Sequence, residues 1–257
     1  MSEDRVPDLL VAYFSTDDAL RSRSVSDRLL TGLLELPAPP ARLSADWQRE
    51  TLRLGLEAGD VEPLSLARSR TRWPDYRLCL QAMGDWMDSL GLPGLLEHSE
   101  LALMACRGAR YHHDAAQYGA AAFCNLFLSE DRGQDLHFPA TGQRIPLQRG
   151  RVVIFDTAQP HAVINRHKDG FDPDDFPAGA DCSQVFLSWE LPIEQAGLAR
   201  ALGIDFDFDF DFDIDPTTAA RLDQQQVWLD GAPAELCPET GRWRQIDARQ
   251  SAQKSSE

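Results

Sequence analysis

Residues 146–165 read PLQRGRVVIFDTAQPHAVIN. Arg151–Phe155 is a short run of β-branched and aromatic residues, and His161–Asn165 is a second one just beyond Gln159-Pro160. Runs of this length, bounded by turn formers, predict strands rather than helices. Working outward, Leu101–Cys106, Ala120–Leu128, Gln143–Pro146 and Gln184–Leu191 repeat the pattern, with turns at Glu130-Asp131-Arg132-Gly133 and Thr141-Gly142. Short strands spaced by roughly ten to twenty residues predict an antiparallel sandwich or barrel. The Asp-, Pro- and Gly-rich stretch Lys168–Asp181 is expected to be a mobile loop.

The first hundred residues carry a different period. Asp17–Leu36 has Leu20, Val25, Leu29, Leu30, Leu33 and Leu34 at helix-like intervals before the breaker Pro37-Ala38-Pro39-Pro40. Ala45–Ala58 and Tyr76–Leu90 repeat apolar residues every three to four positions and close at Gly59 and Gly91. Three helices are expected here. Asp205–Asp215 alternates Asp with Phe or Ile, which in an extended chain separates carboxylates from apolar groups and suits an edge strand. A short helix at Thr217–Gln226 and a hairpin over Val227–Leu229 and Arg242–Ile246 follow. The expected organisation is one domain over 1–257: a helical framing region (1–100), a β-core (101–191), an extension (192–249) and a disordered tail (250–257).

With 25 Lys+Arg against 41 Asp+Glu, the chain carries a formal charge of −16 over 257 residues. That length buries a substantial core. Such an acidic surface repels phosphates at long range, so neither nucleic acid nor an anionic membrane is an expected partner. Cys79, Cys106, Cys124, Cys182 and Cys237 form no CxxC pair, and their odd number fits a reducing compartment. The N-terminal MSEDRVPDLL lacks a basic stretch followed by an apolar one, and no run of 18 apolar residues occurs, so a cytoplasmic protein is expected. The nucleophile-elbow, P-loop and H-E-x-x-H patterns are absent.

Chemistry concentrates in the β-rich region, which holds His112, His113, His137 and His161. In an extended segment His112 and Asp114 point the same way and can grip one ion while His113 faces elsewhere. His161 from a neighbouring strand completes a two-His-one-carboxylate set. That set leaves adjacent coordination positions open, which a non-haem Fe(II) centre needs to hold a cosubstrate and dioxygen together. His137 is the main competitor as third ligand, and a register shift would exchange His113 for His112. Asn125, an amide inside the apolar run 120–128, needs a partner that a cosubstrate carboxylate or the backbone can supply.

Read together, these segments resemble the Fe(II)/2-oxoglutarate-dependent oxygenases, in particular the prolyl-hydroxylase-like branch. The resemblance rests, in order, on His112-His113-Asp114, Asn125–Leu128, Gly133-Gln134-Asp135-Leu136, Pro146 with Gly150–Phe155, Pro160-His161-Ala162-Val163 and Gln184–Trp189, about a third of the chain. It implies an α+β fold with a double-stranded β-helix (jelly-roll or cupin-like) core and N-terminal helices packed around it. It also implies a dioxygenase with Fe(II) bound by His112, Asp114 and His161, and 2-oxoglutarate as cosubstrate. The expected activity is hydroxylation of an unactivated C–H on an amino acid, a small metabolite or a protein side chain. The family anchors the far carboxylate of 2-oxoglutarate with a cation at the start of the last strand. Here that place holds Ser183 and Gln184, which leaves Arg166, five residues after His161, as the substitute. Two alternatives stay open: a cupin-like metal-binding protein that does not use 2-oxoglutarate, and an interaction module whose surface is the Asp-Phe repeat.

Overall fold

The computed structural model describes residues 9–15, 20–207 and 227–246. The chain opens with strands β1 (Leu10–Ser15), β2 (Leu20–Ser24) and β3 (Leu30–Leu33). Helix α1 (Ala41–Leu54), β4 (Val61–Leu64), α2 (Leu66–Arg72) and α3 (Tyr76–Ser89) follow. The central region contains β5 (Glu100–Cys106), β6 (Ala109–His112), the single turn α4 (Ala115–Tyr118), β7 (Ala121–Phe127) and β8 (Gln134–Phe138). It continues with β9 (Gln143–Pro146), β10 (Arg151–Asp156), β11 (His161–Asn165) and β12 (Gln184–Pro192). Helix α5 (Ala196–Leu202) and strands β13 (Val227–Leu229), β14 (Ala232–Leu236) and β15 (Trp243–Gln245) complete the described chain. No helix among the described residues is long and apolar enough to cross a membrane.

Strands β5 to β12 are shared between two antiparallel sheets in a jelly-roll-like arrangement, crossing from one to the other at every step except the β8–β9 hairpin. One sheet runs β3-β10-β7-β12-β5-β4 and the other β6-β11-β8-β9. Period two sorts the side chains of the larger sheet. Leu103, Ala105, Ala122, Cys124, Leu126, Val152, Ile154, Leu187 and Trp189 face the helices, where they meet Leu43, Trp47, Trp73, Met83 and Met87. The opposite face sends Phe127, Val153, Phe155 and Phe186 into the space between the sheets, against Leu136, Phe138, Ile145 and Val163 of the smaller sheet. Each of these large side chains contributes on the order of 1.5–3 kcal/mol by leaving water. Cys106 and Cys124 are buried core residues, and burial pushes the Cys106 thiol up to about 12.

The N-terminal hundred residues correct the sequence reading. α3 lies where apolar periodicity predicts it, and α1 lies about a turn before the expected Ala45–Ala58, closing at Gly55 rather than Gly59, but the expected helix over 17–36 is replaced by β2 and β3. β3 adds to the larger sheet as an edge, with Leu30 opposite Ile154 and Leu33 opposite Arg151. Gly32 within it passes so close to the Trp86 indole that a Cβ would lie 2.7 Å from Nε1. β1 and β2 join β13–β15 in a third sheet, so the framing region is half strand. In the Asp-Phe repeat, the Phe206 backbone bridges to Arg23 and Asp207 binds Arg21. Positions 208–215 and the expected helix at 217–226 lie outside the described residues. β13 and β14 form the hairpin across Asp230-Gly231, with β15 on its outer edge.

Candidate metal centre

The metal-ligating candidates meet at one end of the inter-sheet space. β6 ends at His112, which pairs directly with His161 at the start of β11. Asp114 is the N-cap of α4, yet its carboxylate caps nothing, and its backbone N–H donates to the Thr157 carbonyl at 2.7 Å. The side chain turns instead toward the two imidazoles. Asp114 Oδ2 lies 3.8 Å from His112 Nε2 and 3.6 Å from His161 Nε2. One ligand atom from each of the three falls within 4.8 Å of the others.

Both rings are oriented from behind. His112 Nδ1 lies 2.7 Å from the Arg110 carbonyl and His161 Nδ1 3.0 Å from the Gln159 carbonyl. A carbonyl only accepts, so each Nδ1 carries a proton, which leaves Nε2 as the nitrogen with which a neutral ring can ligate. Burial, reinforced by His112, holds His161 well below the usual imidazole range and so keeps it neutral. Burial raises the Asp114 carboxyl, while His112 lowers it. Two imidazoles and a carboxylate, with His112 and Asp114 partly exposed and His161 sunk in the protein, suit a divalent ion of the Fe(II) or Zn(II) type. Phe155 and Phe138 flank His161 at ring separations of 4.7 and 6.2 Å.

The loop that starts β11 is held by a buried ion pair. Arg23 and Asp156 are both fully buried and joined by two hydrogen bonds of 2.7 and 2.8 Å. The same carboxylate accepts from the backbone of Ser26 and Ala158, and Thr157 Oγ1 donates to the Tyr118 and Ala121 carbonyls. Sequence reasoning passed over this network because Arg23 was read into a helix.

The other candidates sit elsewhere. His113 packs on Trp243 at 4.6 Å, and burial, then the neighbouring His112, pushes it down to about 4. His137 lies on the outer face of the smaller sheet, its Nδ1 2.7 Å from the Tyr111 hydroxyl. Arg166 is likewise outside: its guanidinium binds Asp131 and Asp135 and does not enter the inter-sheet space. Asn125 does face that space. It is 8% exposed, and its Oδ1 is buried without a hydrogen-bond partner. Gln184, at the start of β12 where a cation was sought, is fully buried with both amide atoms unpartnered, and Gln134 donates to the Cys182 carbonyl beside it.

Strand register arranges the inner face of the larger sheet in rows. Nearest the ligand residues run Glu100, Glu190, Phe123 and Phe155; the next row is Ala102, Ser188, Asn125 and Val153; the third holds Met104, Phe186 and Phe127. The small middle row lies between two bulky ones. Burial, and then the facing Glu100 carboxylate, raise the Glu190 carboxyl above its ordinary value. Tyr118 packs edge-on against Phe123 at 4.9 Å; burial and the charges of Glu190, Asp114 and Glu100 raise its phenol. A separate cavity of about 420 Å³ lies at Trp47, Ser129 and Arg132 and contains none of the three ligand residues.

No protein-family model and no curated protein sequence matches the chain. Among solved structures it is similar to the viral collagen prolyl hydroxylase of Paramecium bursaria Chlorella virus-1, with 9% identity, 63% of this chain and 87% of that one covered, and a TM-score of 0.36. It is also similar to SnoN, a non-heme alpha-ketoglutarate-dependent epimerase of nogalamycin biosynthesis, with 13% identity, 66% and 83% covered, and a TM-score of 0.33. A third is vicilin of Corylus avellana, at 14% identity, 47% and 31% covered, and a TM-score of 0.23. Likeness at this level transfers neither activity nor substrate.

Proposed function

We propose that the chain is an Fe(II)- and 2-oxoglutarate-dependent oxygenase, a hydroxylase on a double-stranded β-helix core. The observation that carries this reading is the convergence of His112 Nε2, His161 Nε2 and the Asp114 carboxylate, each imidazole fixed through its Nδ1. The distribution of eight consecutive strands over two facing sheets, with β5, β7, β10 and β12 in one and β6, β8, β9 and β11 in the other, supports the core assignment. In this reading His112, Asp114 and His161 hold the metal. The Asn125 side-chain amide donates to the cosubstrate, and Phe123, Phe138 and Phe155 keep water from the reacting centre. Iron with 2-oxoglutarate supplies the oxidising power for hydroxylating an unactivated C–H. The substrate is an amino acid, a small metabolite or a protein side chain.

A second reading, a cupin-like metal protein that does not use 2-oxoglutarate, is favoured by one observation. The buried end of the inter-sheet space carries the neutral Gln184 rather than a cation. Anaerobic addition of Fe(II) and titration with 2-oxoglutarate separates the two. A visible charge-transfer band that saturates is expected from bidentate chelation, and it disappears in Asp114→Ala. The Arg166→Ala variant should titrate with the same midpoint, since its guanidinium is committed to Asp131 and Asp135. Iron binding without a band would transfer the lead to the second reading.

A further inference from the structure

We propose that Glu100, Glu190 and Tyr118 form a subsite for a cationic group of the substrate, and that Asn125 accepts a second hydrogen bond from the same molecule about 7 Å deeper, two residues along the strand. The proposal deepens the oxygenase reading by naming its substrate class: an amine- or guanidinium-bearing molecule with a further N–H or O–H donor.

Four observations carry it. Glu100 and Glu190 stand directly opposite each other on β5 and β12, an arrangement that costs stability unless something neutralises it. Neither has a cationic partner among the described residues, although arginines elsewhere pair with Glu130, Asp131, Asp135, Asp156 and Asp181. Tyr118 and Phe123 set aromatic rings beside the pair, and a ring face attracts a cation within about 6 Å. Farther in, behind the small side chains of Ala102 and Ser188, the buried Asn125 Oδ1 has no partner. From Glu100 and Glu190 in to Asn125 the groups left unpaired are therefore acceptors, with the unpartnered Gln184 amide lying deeper still, and they complement a positively charged, donor-rich ligand. The Tyr118 hydroxyl already accepts from Gln117 Nε2 at 3.0 Å, which holds the ring in place.

The test uses Nα-acetyl-lysine methylamide and Nα-acetyl-norleucine methylamide, which differ essentially by one ammonium group. Each is titrated calorimetrically into the full chain, once without metal and once with Fe(II) and 2-oxoglutarate. The lysine compound is expected to bind at least about tenfold more tightly, the scale of one charge-assisted contact. In the double variant Glu100→Gln/Glu190→Gln the preference should shrink to less than about twofold. The isosteric glutamines remove repulsion, so folding is not at risk. His112→Ala should retain the preference, which keeps failure of the metal reading distinct from failure of this one. Equal binding of the two compounds, binding of neither, or a preference that survives the double variant would overturn the proposal.

Discussion

At His112 and His161 the ring nitrogen turned toward the backbone decides what the other one can do. Each Nδ1–H is occupied by a carbonyl two residues earlier in the chain, so the lone pairs meet at Asp114. The H-x-D pair was legible as a motif, but not for the reason of an extended segment: β6 ends at His112, and Asp114 turns toward the imidazoles as the N-cap of α4. Arg166 lies five residues from His161, an odd offset, so period two puts it on the opposite face with Ala162 and Ile164, away from the inter-sheet space. Glu190 was legible by the same count, sharing the inner face with Phe186 and Ser188, but only the register shows that Glu100 faces it. Its raised carboxyl has a consequence for stability. Between the ordinary and the raised value the folded chain binds more protons than the unfolded one, so folding weakens as pH rises through that window. Glu190→Gln should therefore be more stable than the parent at about pH 8, by up to about 1 kcal/mol, the scale of a cross-strand pair. The difference should vanish below the usual carboxylate range, as urea melts at the two pH values would show.

At the level of elements, β2, the end of β10 and the loop before β11 behave as one unit, joined through Arg23 and Asp156. Removing one member of a fully buried pair leaves an uncompensated charge, at about 3–5 kcal/mol. Arg23→Met should lose that much in urea denaturation, with weaker metal binding in whatever remains folded. Adding Asp156→Asn should recover part of it by removing the uncompensated charge, although its single amide oxygen can accept from only one of the Ser26 and Ala158 N–H groups, which donate to different carboxylate oxygens. A loss that persists in the double variant would mean that packing of the arginine stem, rather than the charge, is what matters. Leu20–Ser24 escaped recognition as a strand because its inward residue is an arginine, which only a partner 133 positions away makes tolerable. β8 was hidden for a related reason: Asp135, which faces outward, is satisfied by Arg144 and Arg166, and the sequence around it reads as a polar turn. β10, β11 and β12 were legible because both of their faces are buried and their apolar runs are continuous.

Across the whole molecule, the β-core could be read from strand spacing, whereas the third sheet could not, because it joins β1 and β2 to strands more than two hundred residues later. That sheet and its neighbours back the ligand residues: Trp243 packs on His113, and Leu236 packs against Tyr111, Ala162 and Ile164. A chain ended at residue 207 should lose at least about 3 kcal/mol, the burial of one or two large apolar side chains, and bind metal more weakly; calorimetric melting with and without Fe(II) measures both. The pairing of His112 with His161 also bears on the order of assembly. The unfolded chain offers one half of the site at 112–114 and the other 47 residues after Asp114, and closing a loop of that length is entropically costly until β6 and β11 meet. A metal held as proposed would therefore load after folding rather than template it. Once loaded it would act as a clasp between two strands, stabilising the native chain by mass action with the logarithm of the ratio of free ion to dissociation constant.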